Sequence, residues 1–455
     1  MNSFGLTSNN EVVERLGGRR VVVVGAGIVG LMSALEIQRA GVEVVIVDAG
    51  SPGGRQAASY GNAGWASNAA VMPISVPGLW RRVPSYIFDK SGPFTIRWSY
   101  LPRLLPWLLR LLWAGRNWEQ VEACARVRFE LCRSASADHV RISAEAGVAH
   151  LVQRRGLLLV CRDRSEILST QHERGIRRQL GIESRELSPS ELRRREPNLS
   201  SEYRFGFLNE DGCHISDLGA YCEAIADLIL RRGGRIVRAR ATGFETVRGE
   251  VAKVLTDGGA IGCTHAVVAA GIGSKRLAAI AGDYVSLESE RGYHVVFSHP
   301  GNILYGPIMP IDGKMAITPT LDGFRIAGQV ELASEKALPD WRRADILAQF
   351  ASRLFREPVQ PGIEVDRWMG HRPSTPDGLP CIGPASACGK LYYAFGHGHS
   401  GVAHAPATGK LVADLVLGRK PDFDISPLSI QRFKLFQSRS CRFRKSPQTQ
   451  SQEEV

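Results

Sequence analysis

The chain has 455 residues, of which 44% are hydrophobic and 22% charged; this is ordinary globular usage and excludes disordered, collagen-like and small disulfide-stapled classes. Its 57 Lys and Arg against 45 Asp and Glu leave a formal charge of +12, which keeps nucleic acid, an anionic membrane and an acidic ligand as partners to weigh. Nine Cys without a CxxC pair favour reduced thiols over a disulfide framework, and the length suits two domains.

Residues 1–16 are polar, with Glu11 and Glu14, and lack the basic and apolar regions of a secretory signal. No apolar run reaches the roughly 18 residues of a spanning helix, so the expectation is a soluble or peripheral intracellular protein. Residues 21–24 read as a buried parallel strand, and residues 31–40 read as a helix that Gly41 ends. Residues 42–47 read as a second strand, closed by Asp48. This is a βαβ opening with a right-handed crossover. A Gly, Ser, Asn and Ala-rich loop fills residues 51–64. Leucines at helical spacing follow over residues 101–113, interrupted by Pro102 and Pro106. Residues 119–147 and 165–196 read as helical. Strands are expected at 251–255 and 266–270, and an antiparallel sheet over 293–297, 315–318 and 325–328. Strands at 364–369 and 391–395 are expected to return to the first domain, and residues 431–445 form a basic tail without an acid.

The sharpest chemical signal is Gly25-Ala26-Gly27-Ile28-Val29-Gly30 between a strand and a helix. Gly25 permits the tight turn, Gly27 lets a pyrophosphate approach the backbone, and Gly30 lets helix and strand pack closely. The helix N-terminus offers unpaired N–H groups to phosphate, and Asp48, followed by Ala49, suits ribose hydroxyls. A ligand-free Gly turn is the competing reading; the flanking strands and the acid favour a dinucleotide. The fingerprint does not choose between FAD and NAD. Three more turns do: Arg55 with Ser59, Asn62, Ala63 and Gly64; Ala270-Gly271; and Gly396-His397-Gly398-His399 closing at Gly401. Several distant Gly turns fit an extended FAD, with the last helix N-terminus turned toward the flavin ring. His397 and His399 form an HxH without a clear third ligand, so no metal is expected.

Those turns, with Gly370-His371-Arg372-Pro373-Ser374-Thr375-Pro376-Asp377 and Gly378-Leu379-Pro380, resemble the D-amino-acid oxidase superfamily over residues 18–420. The likeness is nearest to the D-amino-acid dehydrogenase small-subunit family, and residues 76–112 resemble a branch that includes D-hydroxyproline dehydrogenases. The resemblance implies an α/β fold: a Rossmann-type FAD-binding domain plus a substrate domain with an antiparallel sheet and helices. It divides the chain into FAD-binding parts at 18–90, 206–285 and 364–420, substrate parts at 91–205 and 286–363, and a basic tail at 421–455. It implies hydride transfer from an amino acid's α-carbon to FAD, an imine that water hydrolyses to a 2-oxo acid, and electrons leaving to a quinone or other carrier. Arg372 stands at the family's substrate-binding Arg, suited to a two-pronged grip on a carboxylate; a structural pair with Asp377 is the alternative. Tyr293 and His294 open the sheet expected to face the flavin and are candidates to bond the substrate, or buried and satisfied instead. Some relatives tether FAD through a Cys before the Pro-Asp pair; this chain has none between Cys263 and Cys381, which implies a non-covalent flavin.

Residues 97–118 carry Trp98, Trp107, Trp113, Trp118, four Arg and no acid, which suits either a membrane surface or a core-facing helix. A flavin-binding electron-transfer subunit and an RNA-binding flavoprotein are the readings from other classes. No basic-aromatic single-strand motif supports nucleic acid.

Overall fold

The computed structural model describes residues 18–83, 92–298, 303–356 and 364–436. The N-terminal segment 1–16 and the tail residues Arg439, Arg442, Arg444 and Lys445 lie outside them. The run of valines after Arg20 becomes β1 (Arg20–Val24), in which Val21, Val22 and Val23 are wholly buried, as a parallel strand covered on both faces requires. α1 (Ile28–Arg39) begins three residues earlier than the periodicity suggests, directly after Gly27, and Gly41 at φ +81° turns the chain into β2 (Glu43–Asp48). A Cβ at Gly30 would lie 1.9 Å from the Gly25 carbonyl oxygen, so this glycine is the contact between helix and turn.

The strands form a six-stranded sheet, ordered Arg235–Arg238, β2, β1, His265–Val268, Leu391–Phe395 and Cys381–Pro384, parallel except for the last pair. The helix Gly401–Leu417 crosses α1 closely enough that a Cβ at Gly409 would lie 2.6 Å from the Met32 carbonyl oxygen. A second, nine-stranded and largely antiparallel sheet carries Glu288–Ser298 near one edge, between Gly323–Leu332 and the edge strand Glu364–Ser374. The strand read at 364–369 therefore does not return to the first sheet. It pairs with Glu288–Ser298, because its alternation continues to Ser374, and only Leu391–Phe395 goes back.

Three helical readings are corrected. Residues 119–147 break into Trp118–Cys132 and Ala135–Glu145. Residues 165–196 contain Arg164–Ser169, Gln171–Gln179, the strand Arg185–Leu187 and a short helix Pro189–Arg195 opened by a Ser188/Glu191 capping box. The Leu101–Ala114 helix runs through Pro106, since Pro102 sits in its first turn and both prolines lie on the exposed side. The tail is also corrected in part: Leu428, Ile430 and Phe433 are buried, and Arg432 donates to Asp377 at 2.7 Å and to the Leu379 carbonyl at 2.6 Å. Among the described residues no helix is long and apolar enough to cross a membrane.

Candidate active site

The carboxyl ends of β1, β2 and His265–Val268 open onto a cavity of about 510 Å³. Its walls include Gly25, Gly27, Ile28 and Val29 from the first turn, with Asp48 and Ala49 from the end of β2. Ser59, Asn62, Ala270 and Gly271 come from the middle turns, and Gly396, His397, Gly398 and Gly401 from the last. The four turns picked out in the sequence thus converge. Gly25 holds φ +116°, and a Cβ there would lie 2.3 Å from the Ala269 carbonyl oxygen, so backbone alone forms this wall. Asp48 accepts from the N–H groups of Ala26 and Gly50, both at 2.7 Å, which locks the turn to β2. The Ser59 hydroxyl takes the Ile28 N–H at 3.0 Å, so one orphan donor of α1 is already satisfied. This cradle of glycine backbone, two helix N-termini and a terminal acid fits an extended dinucleotide; Gly25, Gly27, Ser59, Asp48 and Gly401 are the residues that would hold it.

Five predicted positions stand elsewhere. Gly30 lies behind the wall as a packing residue. Gly64, at φ +77°, is a turn residue whose added Cβ would meet the Ile215 carbonyl oxygen at 2.4 Å. Ala63 and His399 line a neighbouring cavity instead. Arg55 lines neither cavity: it pairs with Asp366 at 2.9 Å and donates to the Arg367 carbonyl at 2.8 Å. The acid that captures it lies more than 300 residues away in sequence and gave no local signal.

The neighbouring cavity, about 810 Å³ and mostly apolar, shares Asn62 and Arg372 with the first. Arg372 stands opposite Glu290 in the pairing of the two long strands, and its guanidinium lies over Gly292, where a Cβ would come within 2.3 Å of it. A bulge in the adjacent strand, with Gln329 at φ +57°, turns two carbonyls toward it: Arg372 donates to Gln329 O at 3.0 Å and to Gly328 O at 3.4 Å. Burial pulls the guanidinium below its ordinary value, and Glu290 opposes that. Asp377, the expected structural partner, is engaged by Arg432. Tyr293 and His294 line neither cavity. Tyr293 donates to Glu331 at 2.5 Å, and buried His294 lies 3.4 Å from both the Gly61 carbonyl and Asp366. Tyr293 alternates to the face away from Glu290, while His294, on the Glu290 side by parity, is held against Gly61 and Asp366.

Several residues here gave no recognisable signal. Arg128 is buried and donates to the Gly378 and Ala70 carbonyls and to Ser400 Oγ, bracing the last turn from the helix Trp118–Cys132. Gln329 and Glu290 line the second cavity, and only the strand register brings them to Arg372. Burial, with Arg128 nearby, pushes His397 down to about 3, so its ring is neutral. Among the described residues no cluster of His, Cys, Asp or Glu could hold a metal ion.

A Rossmann-type sheet with this cradle, joined to an Arg-bearing apolar cavity, defines a dinucleotide-dependent oxidoreductase. The model of the FAD dependent oxidoreductase family (DAO) matches residues 20–415, and the chain belongs to that family, an enzyme family with FAD as cofactor. The chain is 43% identical to a D-amino-acid oxidase of Bradyrhizobium diazoefficiens, over 91% of its own length and 99% of the relative's. It is 30% identical to a D-amino acid dehydrogenase of a Methylobacterium species, with the same 91% and 99% coverage. The glycine oxidase structure from Geobacillus kaustophilus superposes with a TM-score of 0.70 at 21% identity, covering 91% of this chain and 99% of that one. An L-proline dehydrogenase from P. horikoshii gives 0.67 at 18%, covering 92% and 98%. These two show a shared fold.

Proposed function

We propose that the protein carries out the oxidative deamination of a D-amino acid. The observation that carries this reading is Arg372: it stands on the wall shared by the two cavities, and only two of its five N–H donors are committed to carbonyls. The remaining donors suit a substrate carboxylate, gripped where the α-carbon would face the first cavity. Bound FAD supplies a two-electron acceptor for the α-hydrogen. The chain's own part is to orient and to exclude water: Leu108, Leu111 and Phe207 line the second cavity and suit an apolar side chain. The names of the 43% and 30% identical relatives support the D configuration. A cyclic secondary amine such as D-hydroxyproline is the second substrate reading, resting on the 76–112 segment. We place the flavin in the cradle without a covalent bond, since among the described residues no Cys lines either cavity.

For the acceptor, a quinone or other carrier agrees with the relative named a dehydrogenase, and oxygen with the relative named an oxidase. The test is to follow 2-oxo acid release from a D-amino acid panel while measuring peroxide and the reduction of a quinone analogue. Peroxide in step with product favours oxygen, and turnover only with the quinone favours the carrier. Absence of 2-oxo acid with every substrate overturns the reading. Peripheral contact with a membrane is the last element. Leu105, Leu109 and Trp113 are 49%, 59% and 68% exposed on the outer face of Leu101–Ala114, beside exposed Arg103 and Arg116. Its inner face, Leu104, Trp107, Leu108 and Leu111, is core.

A further inference from the structure

Glu290 is 1% exposed and lines the second cavity, and no charged group pairs with its carboxylate; the Ser374 hydroxyl is near it, but neither oxygen makes a well-formed hydrogen bond. A buried carboxylate left in this state is costly unless something arrives to pair with it. The obvious partner is Arg372, its direct cross-strand neighbour. The bulge at Gln329 prevents that pairing by offering the guanidinium the carbonyls of Gly328 and Gln329. A cation and an anion thus sit side by side on one face of the sheet, unpaired, at the wall of one cavity. Gln329 Nε2 lines the same cavity, buried and without an acceptor, while its Oε1 takes Arg343 at 3.1 Å. Two donors and one acceptor therefore converge. The ligand that satisfies all three carries an anionic group and a cationic group close together, as an α-amino acid does.

We infer that Glu290 receives the ammonium group of the substrate, beside the carboxylate that Arg372 and Gln329 hold. The inference rests on the amino-acid reading above and deepens it by assigning the amine end. Burial pushes the Glu290 carboxyl above its ordinary range, with Arg372 and Ser374 opposing, so an arriving ammonium relieves an existing penalty. A des-amino acid makes the Arg372 contact but offers nothing to Glu290. Selection between an amino acid and the plain carboxylic acid of the same shape is thereby built into one pair of strands.

The experiment uses the FAD-loaded full chain, with D-leucine and its des-amino analogue 4-methylpentanoate as probes. Binding is read from the flavin spectrum, and reduction from anaerobic bleaching. Glu290→Gln keeps size and hydrogen bonding but removes the charge. It is expected to weaken D-leucine, in the Kd of the reductive half-reaction, by tenfold or more and to leave 4-methylpentanoate within twofold of wild type. Arg372→Lys is expected to weaken both. Glu290→Gln that binds D-leucine as wild type does, or that weakens both probes equally, overturns the assignment. So does loss of flavin or fold in both Glu290→Gln and Glu290→Asp, which would make the residue structural. If wild-type flavin responds to neither probe nor to a wider D-amino-acid panel, the amino-acid reading itself fails, an outcome distinct from failure at Glu290 alone.

Discussion

The two cavities that meet at Asn62 and Arg372 are built from different materials. The cradle is made of backbone: Gly25, Gly27, Gly271, Gly396 and Gly398 line it, and two helices point their N-termini at it. The substrate cavity is made of side chains carried by strands far apart in sequence, with Glu290, Gln329 and Arg372 brought together by pairing alone. Backbone walls tolerate almost no substitution, since every atom is also part of the fold. Side-chain walls can be changed one function at a time.

Gly25→Ala should therefore have the largest effect of all. The residue would be forced to φ +116° with its Cβ 2.3 Å from the Ala269 carbonyl oxygen. Backbone strain of this kind costs about 1–3 kcal/mol before the overlap is counted. The expected outcome is a protein without flavin and with a lowered Tm, checked by the ratio of flavin to protein absorbance. A yellow, stable variant would show that the turn is not the cradle.

Arg372→Ala comes next and should separate the cavities. Losing a charge-assisted contact of about 1.5–3 kcal/mol lowers kcat/KM by roughly ten- to 150-fold. Arg372→Lys restores only part, because an ammonium cannot reproduce the planar grip. Flavin content stays near wild type in both. Flavin loss here would move Arg372 from the substrate side to the cradle side.

Acid should loosen the fold. Burial pushes His139 and His214 down to about 4 and, with Arg128 nearby, His397 to about 3, against an ordinary 6.5. Between those values the unfolded chain binds protons that the folded chain refuses, so this stability is complete above about pH 6.5 and is lost as the pH falls. Glu196 runs the other way. Pushed up to about 7 by burial, it adds stability at low pH that is lost as the pH rises through 7. The depressed histidines, these three with His265, His294, His371 and His404, outnumber the raised carboxyls Glu196, Asp211, Glu290 and Glu335, so urea midpoints should fall steadily from pH 6.5 to 4, with flavin release alongside. A flat profile would contradict the neutral, buried state of these rings.

The smallest effect belongs to the outer face of Leu101–Ala114. Arg103→Glu should weaken binding to anionic vesicles by about 1 kcal/mol per charge removed, without touching flavin content or turnover. Unchanged vesicle binding would leave this helix as a wall of the substrate cavity and nothing more.

The contrast also explains what the sequence could disclose. Gly25 to Asp48 is legible because strand, turn, helix and acid lie within one stretch whose spacing is fixed by the phosphate-binding turn. The later Gly turns are legible as turns, and Arg372 through its neighbours in the Gly-His-Arg-Pro run. Glu290 was not legible, since its meaning depends on facing Arg372 across a register that no local pattern encodes. The places of Tyr293 and His294, which line neither cavity, are likewise set by pairing that no local pattern encodes. Arg55 was misread because Asp366, its partner, comes from another sheet. The single long helix read at 165–196 failed because Gly181, at φ +74°, and the strand after it interrupt a run of Arg and Glu that looks continuous.

The most direct test of the central claim, an FAD cradle opening onto an amino-acid cavity at Arg372, is anaerobic titration of the flavin-loaded protein with the two enantiomers of leucine. The account predicts that D-leucine bleaches the flavin and releases one 2-oxo acid per flavin, while L-leucine leaves it yellow. Flavin that stays oxidised with D-leucine and with the wider D-amino-acid panel, or that L-leucine bleaches equally, would contradict it.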